Sequence, residues 1–195
     1  DLLWFDDDGS SCEYGDWPDY NYMIDVPQAT YYIDGSVDSY KNSPITIFPD
    51  ESVCLGEEVC IPVTVKDFID IGAISLTLLY SPTFNISYSH FIDNDVFPGI
   101  LDVNEPFSGT LTIGGQSQDE ALNLDDDHIL LTLCFKNFTG GVVNFNWYDD
   151  GSSCEYADYP DYDFMIDFPQ EDYYINGSLT GLVLPVVTEA SLLSS

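Results

Sequence analysis

The sequence predicts an all-β sandwich. Apolar runs of strand length recur along the chain, turn-forming clusters of Gly, Pro and Asp separate them, and helix signals are nearly absent. Read in order, the runs are Ile45 to Phe48, Val59 to Val65, Ala73 to Tyr80 and Phe84 to Tyr88, then Thr110 to Ile113, Ile129 to Phe135, Val142 to Trp147 and Tyr173 to Leu179. Each is rich in Val, Ile, Thr, Phe or Tyr and alternates at period two or stays apolar throughout, as a half-buried or buried strand requires. Tyr80-Ser-Pro-Thr, Gly114-Gly and Thr139-Gly-Gly supply turn chemistry between them. Only the stretch from Asp119 to Leu124 suggests a helical turn.

Charge narrows the function classes. The 195 residues hold 35 acidic side chains against 3 basic ones, Lys41, Lys66 and Lys136, for a net charge of −32. Phosphate binding needs Lys and Arg to displace counterions, so nucleic acid is excluded as a partner, and an anionic membrane surface is disfavoured likewise. A hydrophobic share of 45% nevertheless supports a folded core. No run of about 18 apolar residues exists to span a membrane. The opening DLLWF lacks the basic and apolar regions of a signal peptide, which is expected to be absent or already removed.

A repeat organises the chain. Residues 9–36 read GSSCEYGDWPDYNYMIDVPQATYYIDGS, and residues 151–178 read GSSCEYADYPDYDFMIDFPQEDYYINGS. Cys154 minus Cys12 gives an offset of 142 residues, the size of a whole domain rather than of a solenoid unit. The organisation expected is therefore a partial repeat at 1–41, a complete sandwich at 42–180 and a strand-like tail at 181–195. The partial repeat would carry the closing strands and acidic loop of a unit whose remainder lies elsewhere. The tail segment LVLPVVTEAS can be laid beside ITIFPDESVC at Ile45, as the opening of another unit.

Within the complete unit, ESVCLGEEVCIPVTVKDFIDIGAISLTLLYSPT pairs a V-x-V-P-V-x-V-like strand with an apolar strand ending in Tyr80-Ser81-Pro82. GTLTIGG, HILLTLCFK and YYINGSL follow in order. This series resembles the cohesin-like domains of secreted microbial surface proteins, with Ser81 standing where the family shows Asp. The resemblance implies a cohesin-like jelly-roll β-sandwich of about nine strands. It also implies either a dockerin-binding role through one sheet face, a carbohydrate-binding role or a structural one, since the fold alone does not choose. No EF-hand-type dockerin loop occurs in the chain, so self-association by that route has no support.

Three groups of candidate site residues follow. The first is acidic. Asp149, Asp150, Glu155, Asp158, Asp161, Asp163 and Asp167 crowd the second copy of the repeat, and Asp6, Asp7, Asp8, Asp16, Asp19 and Asp25 the first. Carboxylates two or three residues apart can aim several oxygens at one hard cation, so a structural Ca²⁺ is expected there, against the plainer reading of solvated turns. The aromatics between them, Tyr156, Tyr159, Tyr162 and Phe164 in the second copy, suit an interface core and, less often, a sugar-stacking platform.

The second group is the cysteines. Cys60 and Cys134 lie in strands expected to be neighbours, so a bridge between them is expected. Cys54 would then pair with Cys154, leaving Cys12 for an intermolecular bond or a free thiol; a Cys54–Cys60 bridge is the alternative. The third group is the sequons at Asn85, Asn137 and Asn176, which together with disulfides indicate an extracellular or cell-surface protein.

No pattern points to catalysis, because His90 and His128 stand in no catalytic motif. The functional expectation is instead structural. Cohesin-like modules would assemble head-to-tail with identical subunits, or with adjacent repeats, into a filament, stalk or array. The unpaired strands of the partial repeat would be covered by strand addition from Leu182, Val183, Leu184, Val186 and Val187. The alternative is a binding module for dockerin or glycan.

Overall fold

The computed structural model describes residues 41–182 apart from 57, 98 and 99, together with residues 18 and 19. The chain divides into two compact units, Asp1–Tyr40 and Lys41–Ser195. Among the described residues the second unit forms a two-layer sandwich of twelve strands: β1 (Ile45–Ile47), β2 (Asp50–Cys54), β3 (Val59–Lys66), β4 (Ile71–Ser81), β5 (Ser87–Asp93), β6 (Asp102–Phe107), β7 (Thr110–Gln116), β8 (His128–Lys136), β9 (Val142–Trp147), β10 (Glu155–Asp158), β11 (Tyr174–Ile175) and β12 (Gly177–Leu182).

The five-stranded sheet runs β11-β1-β3-β8-β5, and the seven-stranded sheet runs β2-β12-β9-β4-β7-β6 with β10 also on β4. The strands β2, β6 and β10 were not expected from the sequence. β2 and β6 carry Asp, Glu, Asn and Pro at exposed edge positions, and β10 is only four residues long, so none has an apolar alternation.

Twelve segments reduce to about nine rows because three rows are split. Phe48 and Pro49 interrupt β1 and β2, so one strand begins in the first sheet and ends in the second. The partner at the C-terminal end does the same. β11 pairs in parallel with β1, β12 pairs in parallel with β2, and Asn176 lies between them. The crossover is tight: a Cβ on Gly177 would lie 2.3 Å from the carbonyl oxygens of both Phe48 and Pro49, so only glycine fits. The third split is along β4, whose first half pairs with β10 and whose second half pairs with β9.

Alternation fills the space between the sheets. Ile61, Val63 and Val65 of β3, Ile74, Leu76 and Leu78 of β4 and Val143 and Phe145 of β9 all point inward and are buried. Phe145 stacks on Phe48 at 4.2 Å between ring centroids and meets Phe135 edge-on at 5.1 Å, closing one end of the core. The expected helical turn at Asp119 to Leu124 does not form. Leu122 instead exchanges backbone hydrogen bonds with Ile71 at 2.8 and 3.0 Å, because its side chain is drawn against the core.

Candidate functional site

The acidic block begins as an extension of the sheet. β10 lies antiparallel to β4, placing Cys154, Tyr156 and Met165 in the core and Glu155 on the outer face. The Tyr156 hydroxyl meets that of Thr46 at 2.7 Å, and the single Tyr174 O–H is shared between the carbonyl oxygen of Cys154 at 3.1 Å and Asp167 at 3.0 Å. Tyr162 and Tyr159 donate to the carbonyl oxygens of Ser117 and Asp119 at 2.7 and 3.1 Å. These tyrosines therefore fasten the block to its own domain, and Tyr156 and Tyr174 are buried too deeply to stack on a sugar.

The carboxylates are likewise spent locally. Asp149 accepts from the backbone N–H groups of Gly151 and Cys154 at 2.9 and 3.4 Å, and Asp150 from the Ser152 and Ser153 hydroxyls at 3.0 and 2.8 Å. Asp158 accepts the Asp163 N–H at 3.2 Å and pairs with Lys41 at 3.3 Å. Asp161 and Asp163 are exposed. Among the described residues no three His, Cys, Asp or Glu side chains converge as metal ligands, so the Ca²⁺ expectation gains no donor set here. Asp6, Asp7, Asp8 and Asp16 lie outside the described residues. Asp19 belongs to the two-residue turn described in the first unit, and no ligand set includes it among the described residues.

Burial works on the acids that remain. It pushes the carboxyls of Asp167 and Glu155 above the ordinary carboxylate range, helped by the negative charge of Asp149 near both. It pushes the Cys154 thiol up to about 12, which keeps it protonated and unreactive.

The cysteines sort differently from one expectation. Cys60 and Cys134 stand directly opposite on β3 and β8 and are bonded. Cys54 and Cys154 are not bonded: Cys54 is exposed on the edge strand β2, whereas Cys154 is fully buried beneath β4, where its sulfur meets the Thr77 N–H at 3.3 Å. The expected Cys54–Cys154 bridge is thus corrected, and the alternative Cys54–Cys60 bridge is excluded by the partner Cys60 already has. Cys12 lies outside the described residues.

Asn137 is exposed and donates to Ser87 at 3.1 Å, Asn85 is half-buried, and Asn176 accepts the Trp147 N–H at 2.7 Å. Leu182 ends β12 opposite Cys54 and is 46% exposed. Val183, Leu184, Val186 and Val187 lie outside the described residues.

The surface that sequence reasoning missed is the outer face of the seven-stranded sheet. Outward residues of β4 are Ala73, Ser75, Thr77, Leu79 and Ser81, those of β7 Thr110, Thr112, Gly114 and Gln116, and those of β9 Val142, Asn144 and Asn146. β12 adds Ser178 and Thr180. None is charged, in a chain of net charge −32. Asp50 on β2, Asp102 on β6 and Glu155 on β10 mark its rim. At one end stand two highly exposed aromatics, Phe84 at 83% and Phe107 at 76%. Gly109 holds that end together: a Cβ there would lie 2.7 Å from Thr83 and 2.9 Å from the Tyr80 carbonyl oxygen. A period-2 reading of the strands contains this face, but only the sheet order assembles it.

No protein-family model matches the chain, and no curated protein matches it in sequence. Solved structures do match. The seventh ScaB type I cohesin from Pseudobacteroides cellulosolvens aligns with a TM-score of 0.59 at 12% identity, over 75% of this chain and 97% of its own. A chain of the Coh-OlpA-Doc918 complex, a type I cohesin–dockerin complex from Clostridium thermocellum, aligns at 0.57 and 14% identity, over 72% and 100%. A non-cellulosomal cohesin from the hyperthermophilic archaeon Archaeoglobus fulgidus aligns at 0.56 and 14%, over 72% and 92%. At these identities the likeness is one of fold.

Proposed function

The described part of Lys41–Ser195 has a cohesin-type fold, and from that premise we propose that the chain is a non-catalytic protein-binding module. Its partner is a dockerin-like domain received on the outer face of the seven-stranded sheet. The observation that carries this reading is the uncharged field of Thr, Ser, Asn and Gly across β12, β9, β4 and β7. Burying a carboxylate without a partner is costly, so a surface meant to be covered by another protein keeps its carboxylates at the rim. Hydroxyls and side-chain amides give directional contacts, and Phe84 and Phe107 offer the aromatic anchors on which binding energy concentrates. The fold is also that of chains seen in cohesin–dockerin complexes, as in the Clostridium thermocellum assembly. The Cys60–Cys134 bond suits an oxidising, extracellular setting.

The test is calorimetric titration with a panel of dockerin modules, run beside a panel of polysaccharides. Binding of a dockerin, lost in Thr112→Arg and Asn146→Arg but kept in Ile47→Arg on the opposite sheet, is the expected result. Retention on glycan with no dockerin binding would replace this reading by the carbohydrate one.

A further inference from the structure

Two apolar surfaces lie outside the binding face. The first lies in the acidic block, where Phe164, Ile166 and Phe168 are 70%, 41% and 84% exposed while Met165 between them is buried at 6%. Backbone bonds from Ser43 to Ile166 and from Ile166 to Lys41, at 2.8 and 2.9 Å, hold the stripe extended beside the chain that enters β1. The repeat keeps the stripe: at the 142-residue offset stand Tyr22, Ile24 and Val26. The core of the described unit does not need these side chains, so packing inside the domain does not account for the pattern recurring. Asp161 and Asp163, both exposed, flank it.

The second surface is the outer face of the five-stranded sheet near β8 and β5. Ile92 and Ile129 are 46% and 40% exposed there, beside Thr132. The interiors of β3, β8 and β5 carry no carboxylate, although Glu58 just before β3 lies 3.4 Å from His90 on β5, and Lys66 and Lys136, two of the three lysines in the chain, close β3 and β8 at opposite ends of the face. Lys66 pairs with Asp127 at 3.3 Å, and Lys136 has no ion-pair partner among the described residues.

We propose that these two surfaces bind each other between copies of this chain. The acidic, aromatic stripe of one copy docks on the isoleucine-and-lysine face of the next. The complementarity is double, apolar against apolar at the centre and Asp161 and Asp163 against lysine at the periphery. Outside the uncharged face of the seven-stranded sheet, most other pairings of two such anionic molecules set carboxylate against carboxylate. The parallel bridge of Asn42 with Ile166 sets the stripe beside the chain entering β1, on the opposite side of the five-stranded sheet from β5, where the receiving face lies. The contact is therefore heterologous, and repetition propagates it. The uncharged face of the seven-stranded sheet stays free for its own partner.

The experiment is sedimentation velocity on the intact chain from micromolar to millimolar concentration. Wild type forms a concentration-dependent series of oligomers. Phe164→Ser/Phe168→Ser removes the stripe, and Ile92→Asp/Lys136→Glu removes the receiving face. Each alters only exposed side chains, retains the wild-type melting curve and weakens association by about tenfold or more. Mixed together, the two variants form one-to-one dimers that grow no further, because each supplies the surface the other lacks. Wild type remaining monomeric at every concentration overturns the proposal. So does a mixture that stays monomeric, or variants that assemble like wild type, which would place the contact in other residues such as 1–40 or 183–195.

Discussion

The hydroxyls of Thr46 and Tyr156 meet at 2.7 Å in the core, 110 residues apart in sequence and both at 0% exposure. This bond ties the acidic block to the first strand. Tyr156 also meets Phe68 edge-on at 6.0 Å between centroids. The residue that looks in sequence like part of a binding motif is therefore a fastener.

Tyr156→Phe should lower stability by about 1–3 kcal/mol, because it strands the Thr46 hydroxyl in the core. Thr46→Val combined with Tyr156→Phe should recover much of that loss, since both polar partners are then gone. Urea denaturation of the four proteins of the cycle measures the coupling; strictly additive losses would show that the bond carries none of it.

Thiol chemistry should separate the cysteines. In native protein, iodoacetamide followed by peptide mass mapping modifies Cys54 rapidly and Cys154 only on unfolding, since Cys154 is buried and its thiol is held at about 12. Reducing Cys60–Cys134, which are 74 residues apart, removes a cross-link worth ~4 kcal/mol in the chain-entropy view. The melting temperature should fall by roughly 10 °C.

The pH response has a defined sign. The fold raises the Asp167 and Glu155 carboxyls, so it disfavours their charged forms. Their penalty is absent below the unfolded value and grows as pH rises through the raised one. Acidifying from neutrality towards the carboxylate range should therefore raise the melting temperature, and the net charge of −32 acts in the same direction. Asp167→Asn keeps an oxygen for the Tyr174 hydroxyl and should show a shallower rise; a slope equal to that of wild type removes Asp167 from the account.

Salt should stabilise without regard to cation identity. Two carboxylates ~6 Å apart repel by about 0.7 kcal/mol in water, and screening relieves many such pairs at once. At equal ionic strength NaCl and CaCl₂ should give the same melting temperature, and EDTA should leave it unchanged. A gain at micromolar calcium that EDTA reverses would restore a specific site and direct attention to the first-copy acids as well as the second.

Much of the fold was legible because sandwich strands announce themselves by alternation. Val142–Trp147 matches its sequence-read run residue for residue, and Ile61, Val63 and Val65 show the inward pattern that period two requires. The strands that escaped notice, Asp50–Cys54, Asp102–Phe107 and Glu155–Asp158, escaped for a physical reason: edge and short strands are recruited by the neighbour they pair with. The same holds at Leu122, where an exchange of backbone bonds with Ile71 overrode a local helical preference.

The candidate site was far less legible. The acidic block attracts notice by composition, yet its carboxylates accept hydrogen bonds from their own turns, as Asp149 does from Gly151. The uncharged face drew none, because Thr77, Thr112 and Asn144 are unremarkable one at a time.

By itself the sequence determined the sandwich class and the 142-residue repeat, and it offered Cys60–Cys134 beside Cys54–Cys60 as an open pairing. These are properties of local period, copy number and strand-sized spacing. Tertiary structure alone decided that Cys154 is buried rather than bonded, that Tyr156 reaches Thr46, and that outward residues of four separate strands form one neutral surface. Each of those depends on which strands become neighbours. That is set by pairing register and by the shared core between the sheets, neither of which any single segment encodes.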